Sequence, residues 1–280
     1  MIDEVIHIFL HSLKDSLKIL PFLFVAFLII ELIEHKFSKK SKKIIENSGK
    51  FGPVVGAFLG LIPQCGFSVV ATNLYVTRIL SLGTLISIYL ATSDEMLPIM
   101  ISNNIDITII LQILLIKLFI GIFFGVLIDF FFRKKRISAD YTICDDEHCH
   151  CEEGVLVSSL KHTVHIFVFI FLVNFVITLI METLESSIIS SIFMRDSIFA
   201  PFVISLLGLI PNCASSVIIT ELFLNNAISF GSLIAGLLAN SGMALLVLFK
   251  SNKNLKENFM VLGLLYFISV ISGIIIMILS

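Results

Sequence analysis

Two short clusters in this chain combine residues able to hold an ion. Pro63-Gln64-Cys65 and Pro211-Asn212-Cys213 close the hexapeptides that begin at Gly60 and Gly208. A thiolate is a soft ligand suited to thiophilic metals and metalloids, and an amide oxygen is a harder one. Proline lacks an N–H and clashes with the carbonyl four residues back, so Pro63 and Pro211 release the carbonyls of Leu59 and Leu207. Ser68 and Ser216 follow the thiols by about one helical turn. A single proline beside a cysteine reads as a kink and a small core residue. The matched duplicate favours function. Pro63 and Pro211 then shape two hairpins, and Gln64, Cys65, Ser68, Asn212, Cys213 and Ser216 are candidates for a substrate-transport site.

Carboxylates add to this set. Asp94 and Glu95 close Ala91-Thr92-Ser93-Asp94-Glu95 inside an apolar stretch, where carboxylates are rare and usually face a cavity. The matching stretch, Ala239-Asn240-Ser241-Gly242-Met243, has none. Charge in one copy alone fits cation or proton coupling, with Ser93, Asn240 and Ser241 as neutral companions. The bland alternative is hydration at a membrane interface. Glu221, which matches Asn73, is a further candidate. Lys117 lies near the middle of an apolar run and needs a counter-ion, for which Asp94 is the candidate.

A third group lies between the copies: Cys144-Asp145-Asp146-Glu147-His148-Cys149-His150-Cys151. Cys144, His148, Cys149, His150 and Cys151 make a metal-binding composition. Their spacing lacks the paired CxxC of a structural zinc site. The expectation is an accessory cytoplasmic site, set against a solvated linker that binds metal incidentally.

The elements positioning these residues belong to a membrane protein. The chain is 57% hydrophobic and 14% charged, with a mean hydropathy of +1.04. A soluble domain is roughly 25% charged, so lipid is the main solvent. The N-terminus lacks the basic stretch and cleavage site of a secretory signal. The five cysteines do not form a disulfide framework.

A spanning helix needs about 20 apolar residues. The expected spans are 15–34, 82–102, 106–132, 163–184, 228–249 and 258–279. Segments 51–80 and 198–225 are broken near their middles by Pro-X-Cys. Positions 53–97 match 201–245 without a gap, with 20 identities in 45 pairs. The expected organisation is a first membrane repeat (1–136), a Cys/His-rich linker (137–160) and a second membrane repeat (161–280).

Lysines and arginines mark cytoplasmic loops. They cluster at 36–50, at Arg78, at 133–136 and at Lys250, Lys253 and Lys256. With those loops inside, segments 51–80 and 198–225 must turn back as hairpins, and the second half must be inverted. The expected fold is an all-α polytopic membrane protein with an inverted-topology repeat, six full spans and two helical hairpins, about ten helical segments. Its N-terminus lies outside a bacterial-type cytoplasmic membrane.

Gly52-Pro53, Gly60 to Ser68, Leu74-Tyr75, Gly83-Thr84-Leu85 and Ala91 to Glu95 resemble the family described as "putative ten-transmembrane heavy-metal exporter". The Cys/His-rich loop before Leu160-Lys161-His162-Thr163 is similar too. That family is related to arsenic permeases, and some members are labelled manganese transporters. The resemblance implies efflux of a metal or metalloid such as arsenic(III), manganese or another divalent heavy metal.

No Walker A pattern occurs, so the expected permease is secondary-active. No cofactor, enzymatic activity or nucleic-acid partner is expected. Membrane lipid and a metal or metalloid ion are the expected partners, and a homo-oligomer is compatible. The competing reading is a transmembrane thiol–disulfide conduit using Cys65 and Cys213, against which the polar lining argues. A lipid-modifying enzyme lacks a recognisable nucleophile–base set.

Overall fold

The computed structural model describes residues 51–62, 65–93, 96–132 and 197–279, with scattered helical positions between 9 and 28 and between 160 and 175. All regular structure among the described residues is helical. The first half contributes α1 (Gly52–Gly60), α2 (Cys65–Val76), α3 (Leu82–Ala91), α4 (Met96–Ser102) and α5 (Ile107–Phe132). The second contributes α6 (Ala200–Gly208), α7 (Cys213–Leu224), α8 (Phe230–Ala239), α9 (Ala244–Ser251) and α10 (Leu255–Leu279). Helix by helix, the second set follows the first at the spacing that separates the two hexapeptides.

Matching residues start the matching helices. Ser81 caps α3 by accepting the Thr84 N–H, and Ser229 caps α8 by accepting the Ser232 N–H. Such caps satisfy amide groups that a helix start leaves without partners. Pro53 and Pro201 sit in the first turns of α1 and α6, where a missing N–H costs nothing.

Small residues set the packing. A Cβ on Gly83 would come within 2.1 Å of the Gly125 carbonyl oxygen, and one on Gly231 within 2.6 Å of the Gly273 oxygen. These glycines let α3 cross α5, and α8 cross α10, at backbone contact, as small residues do in membranes.

The same approaches give helix directions. Gly52 meets Thr84, Gly56 meets Ile88 and Gly60 meets Ala91, so α1 runs parallel to α3. Only residues 77–81 join α2 to α3. The chain therefore turns back after α1, and α2 returns to the end where α1 began. Thr72 Oγ1 and Tyr89 Oη, 2.6 Å apart, tie α2 to α3 on the way. In the second half Ile204 meets Gly236 and Gly208 meets Ala239, so α6 is parallel to α8.

Four stretches are long and apolar enough to cross a membrane: Leu82–Ser102, Ile107–Phe132, Phe230–Ser251 and Leu255–Leu279. They correspond to four expected spans. The expected spans 15–34 and 163–184 and the linker fall mostly outside the described residues. Three aromatic contacts are described near them: Phe9 lies edge-on to Phe171 at 5.4 Å and to Phe175 at 5.8 Å, and Phe171 stacks on Phe175 at 6.4 Å.

Two of the four expected spans depart from expectation. Segments 82–102 and 228–249 are not continuous helices. The first stops at Ala91 and resumes at Met96; the second stops at Ala239 and resumes at Ala244. The stops fall on the polar pentapeptides. The Thr92 hydroxyl donates back to the Ile88 carbonyl at 2.8 Å. The Asn240 side chain accepts the Gly242 N–H at 2.9 Å, and Gly242 has φ 59°, the left-handed region that glycine adopts freely.

The halves interlock. α2 packs on α9, α7 on α4, and α3 on α8. At one end Arg78 makes a two-pronged pair with Glu257, at 2.8 and 3.1 Å. Tyr75 Oη also donates to Glu257, at 2.6 Å. The α2–α3 turn and the α9–α10 junction thus share one end of the molecule. α3 leaves that end, whereas α8 and α9 lead towards it.

Candidate functional site

The two hairpin turns lie beside the two helix breaks. After Gly60 and Gly208 the chain tightens: Ile62 N donates to Leu59 O and Ile210 N to Leu207 O, both at 3.2 Å. These are the carbonyls that the prolines were expected to release, and a tighter turn satisfies them. A Cβ on Gly60 would lie 2.7 Å from the Ile88 carbonyl oxygen, and one on Gly208 2.3 Å from that of Gly236. Glycine therefore lets each hairpin turn sit on the end of the broken helix in its own half.

From the second turn, Asn212 caps α7 by accepting the Ala214 N–H at 3.1 Å. Ser215 donates to the Asn212 carbonyl at 2.7 Å and approaches Asn240 Oδ1 at 3.5 Å. From the first hairpin, Ser68 reaches across the halves and donates to the Ser241 carbonyl at 3.3 Å. The side chains of Ser68, Ser93, Asn212, Ser215, Ser216, Asn240 and Ser241 are all buried. Ser241 Oγ has no hydrogen-bond partner among the described residues. An unpartnered buried hydroxyl is costly, and here it stands at a helix break.

Lys117 completes the cluster. It is 1% exposed and sits inside α5. Its ammonium donates to the carbonyl of Thr92, at the end of α3, and to that of Leu237 in α8, the latter at 2.9 Å. One side chain thus joins the broken helices of both halves. The pairing expected with Asp94 lies outside the described residues; the carbonyls are its described partners.

The described chemistry is oxygen-rich and neutral apart from Lys117: hydroxyls, amides and the carbonyls of interrupted helices. Among the described residues no three of His, Cys, Asp and Glu come together to hold a metal. Pro63, Gln64, Asp94 and Glu95, the side chains of Cys65 and Cys213, and the loop residues Cys144, His148, Cys149, His150 and Cys151 all lie outside the described residues.

Glu221 lies in the second hairpin helix, as expected, but apart from the described cluster. It is exposed on α7 and makes no described contact with the cluster. It lies more than two helical turns beyond Asn212, which carries it away from the turn. Its match, Asn73, is buried, and its Nδ2 lacks a hydrogen-bond partner among the described residues.

Sequence reasoning missed Ser215 and the carbonyls of Thr92 and Leu237. Ser215 had a signal in the run Asn212-Cys213-Ala214-Ser215-Ser216, dense in cap-forming residues. The carbonyls had none, because helix interruption exposes them and every residue carries one.

A model of the family described as "Putative, 10TM heavy-metal exporter" matches residues 4–194 and 163–280. No curated protein and no solved structure matches the chain. The family match and the four apolar stretches make this an integral membrane protein of a transporter family.

Proposed function

The chain belongs to the 10TM heavy-metal exporter family, and from that premise we propose that it is a secondary-active efflux permease for a metal or metalloid ion. The observation that carries this reading is the convergence of two hairpin turns and two helix breaks on one buried polar cluster, with Ser68 reaching Ser241 across the halves. Irregular backbone at membrane depth is tolerated where it is buried or lines a cavity. Broken helices meeting at a repeat interface are the usual site of substrate and coupling ions in secondary transporters.

In this reading the two halves form an inverted-topology repeat. Support comes from the directions: α3 leaves the end marked by Arg78 and Glu257, while α8 and α9, their counterparts, approach it. Arg78 and the basic junction after α9 belong to the cytoplasm by the positive-inside rule. The parallel run of α1 and α3 supports re-entrant hairpins in place of single crossings.

Gln64, Cys65, Asn212 and Cys213 are the proposed ligands at the turns, and Ser93, Asp94, Glu95, Asn240 and Ser241 those at the breaks. Asp94 is the proposed coupling carboxylate. Oxygen ligands suit manganese, and the thiols suit arsenite or zinc. The test is a panel of metals and metalloids, comparing growth and cell metal content with and without the intact protein. Lower content of at least one metal in the producing cells supports export. Equal content across arsenite, manganese, zinc, cadmium and copper counts against it.

A further inference from the structure

Lys117 has no counterpart in the other half, where Leu265 holds the matching position on α10. Both Lys117 and Leu265 are buried, so the difference lies in charge. An ammonium carries three donors and no acceptor. Two of those donors go to backbone carbonyls, from Thr92 in the first half and Leu237 in the second.

These carbonyls have a special status. α3 stops at Ala91 and α8 at Ala239. The last carbonyls of a helix lack intrahelical partners and carry the negative end of its dipole. Two such ends, from different halves, aim oxygen at one point inside the molecule. In broken-helix transporters, carbonyls so placed coordinate a soluble Na⁺ or proton. Here a tethered cation reaches that position from α5.

We propose that Lys117 is a built-in cation, filling a carbonyl site between the two broken helices that would otherwise take a small soluble monovalent cation. Lys117 is a positioning residue: it holds the end of α3 against α8. Two consequences follow. The wild-type protein needs neither Na⁺ nor K⁺ at this site. A truncated side chain leaves a cation-sized hole lined by carbonyl oxygen, whereas Lys117→Met fills the same space with apolar atoms.

The experiment compares wild type, Lys117→Ala and Lys117→Met, purified in detergent. Thermal unfolding is followed in choline chloride, NaCl, KCl and methylammonium chloride at equal ionic strength. We expect Lys117→Ala to melt lower than wild type in choline and to rise saturably, by several degrees, with methylammonium or Na⁺. Wild type and Lys117→Met should not respond. An equal response of all three proteins, or none from Lys117→Ala, overturns the proposal. Should Lys117→Ala not be recoverable from membranes, Lys117→Ser, which is also short, serves in its place. Growth medium with methylammonium should then raise the yield of folded Lys117→Ala at least twofold over choline, and an unchanged yield counts against the site.

A transport arm uses cadmium uptake into everted vesicles. Wild-type uptake should be unchanged when choline replaces Na⁺ and K⁺, and uptake by Lys117→Ala should fall about tenfold and partly recover with methylammonium. A strict Na⁺ or K⁺ requirement in wild type contradicts the proposal. This arm rests on the transporter reading, but the melting comparison does not. Vesicles that move no metal at all would therefore fault that reading alone.

Discussion

Among single residues, soft candidate ligands are distinct from hard ones. Cys65 and Cys213 open the two return helices α2 and α7. Cys65→Ser and Cys213→Ser should impair export of arsenite or zinc by about tenfold or more and leave manganese much less affected, since a hydroxyl is a poor soft ligand. Metal-resolved efflux assays check this, and full activity of both variants towards every metal would make the thiols packing residues. Asp94 is proposed to exchange a proton for the exported cation. Asp94→Asn keeps the shape and removes the exchange, so substrate should still bind while transport driven by a pH gradient stops. Unchanged pH-driven flux would move the coupling role to Glu95. The residues that the structure buries together, such as Ser68, Asn212, Asn240 and Ser241, stood out in the sequence because polar groups are rare in apolar stretches. Sequence matching pairs Glu221 with Asn73 but assigns neither a face, and the structure exposes the first and buries the second. The carbonyl partners of Lys117, those of Thr92 and Leu237, were illegible, since backbone carbonyls leave no mark on the sequence.

At the scale of elements, the hairpins and the helix breaks were unequally visible. Pro63 and Pro211 announce the hairpin turns, because proline cannot continue a helix. The breaks after Ala91 and Ala239 contain no proline. They arise from side chains that compete for the backbone, Thr92 and Asn240, and from Gly242 in a left-handed conformation. A hydropathy window averages over such short interruptions and returns one continuous span. Packing around the breaks rests on glycine. Gly83→Leu and Gly231→Leu should each force α3 from α5, or α8 from α10, because the added Cβ meets backbone oxygen in both places. Overpacking costs of about 1–3 kcal/mol are typical where neighbours can shift, and backbone contacts shift less. Detergent melting should show both variants clearly destabilised; a change of less than about 0.5 kcal/mol in either would show that the crossing is looser than described. The loop 140–152 lies outside the repeated helices. Its deletion should lower apparent affinity while leaving turnover largely intact, measured as KM against kcat for metal flux. Abolished transport by a correctly inserted deletion variant would place essential ligands in the loop.

Across the whole molecule, charge, helix direction and site are linked. The two-pronged pair of Arg78 with Glu257 fastens the halves at a single end, the end proposed to face the cytoplasm. From there α3 rises to its break, α8 descends from the opposite side to its own, and α3 packs on α8. Ser68 and Lys117 bridge the halves at the level of those breaks. The charge pattern proposes which end faces the cytoplasm. Contacts between halves were not readable, because duplication specifies each copy and leaves their docking open. The central claim is that metal leaves the cell through this buried polar junction. The direct measurement is metal accumulation in everted membrane vesicles under an imposed pH gradient, for wild type and for Ser68→Leu, which would crowd the contact between Ser68 and Ser241. The account predicts gradient-dependent uptake of at least one metal by wild type, and a loss of about tenfold or more in Ser68→Leu with normal membrane insertion. Wild-type vesicles that take up no metal, or a Ser68→Leu variant that transports as well as wild type, would contradict it.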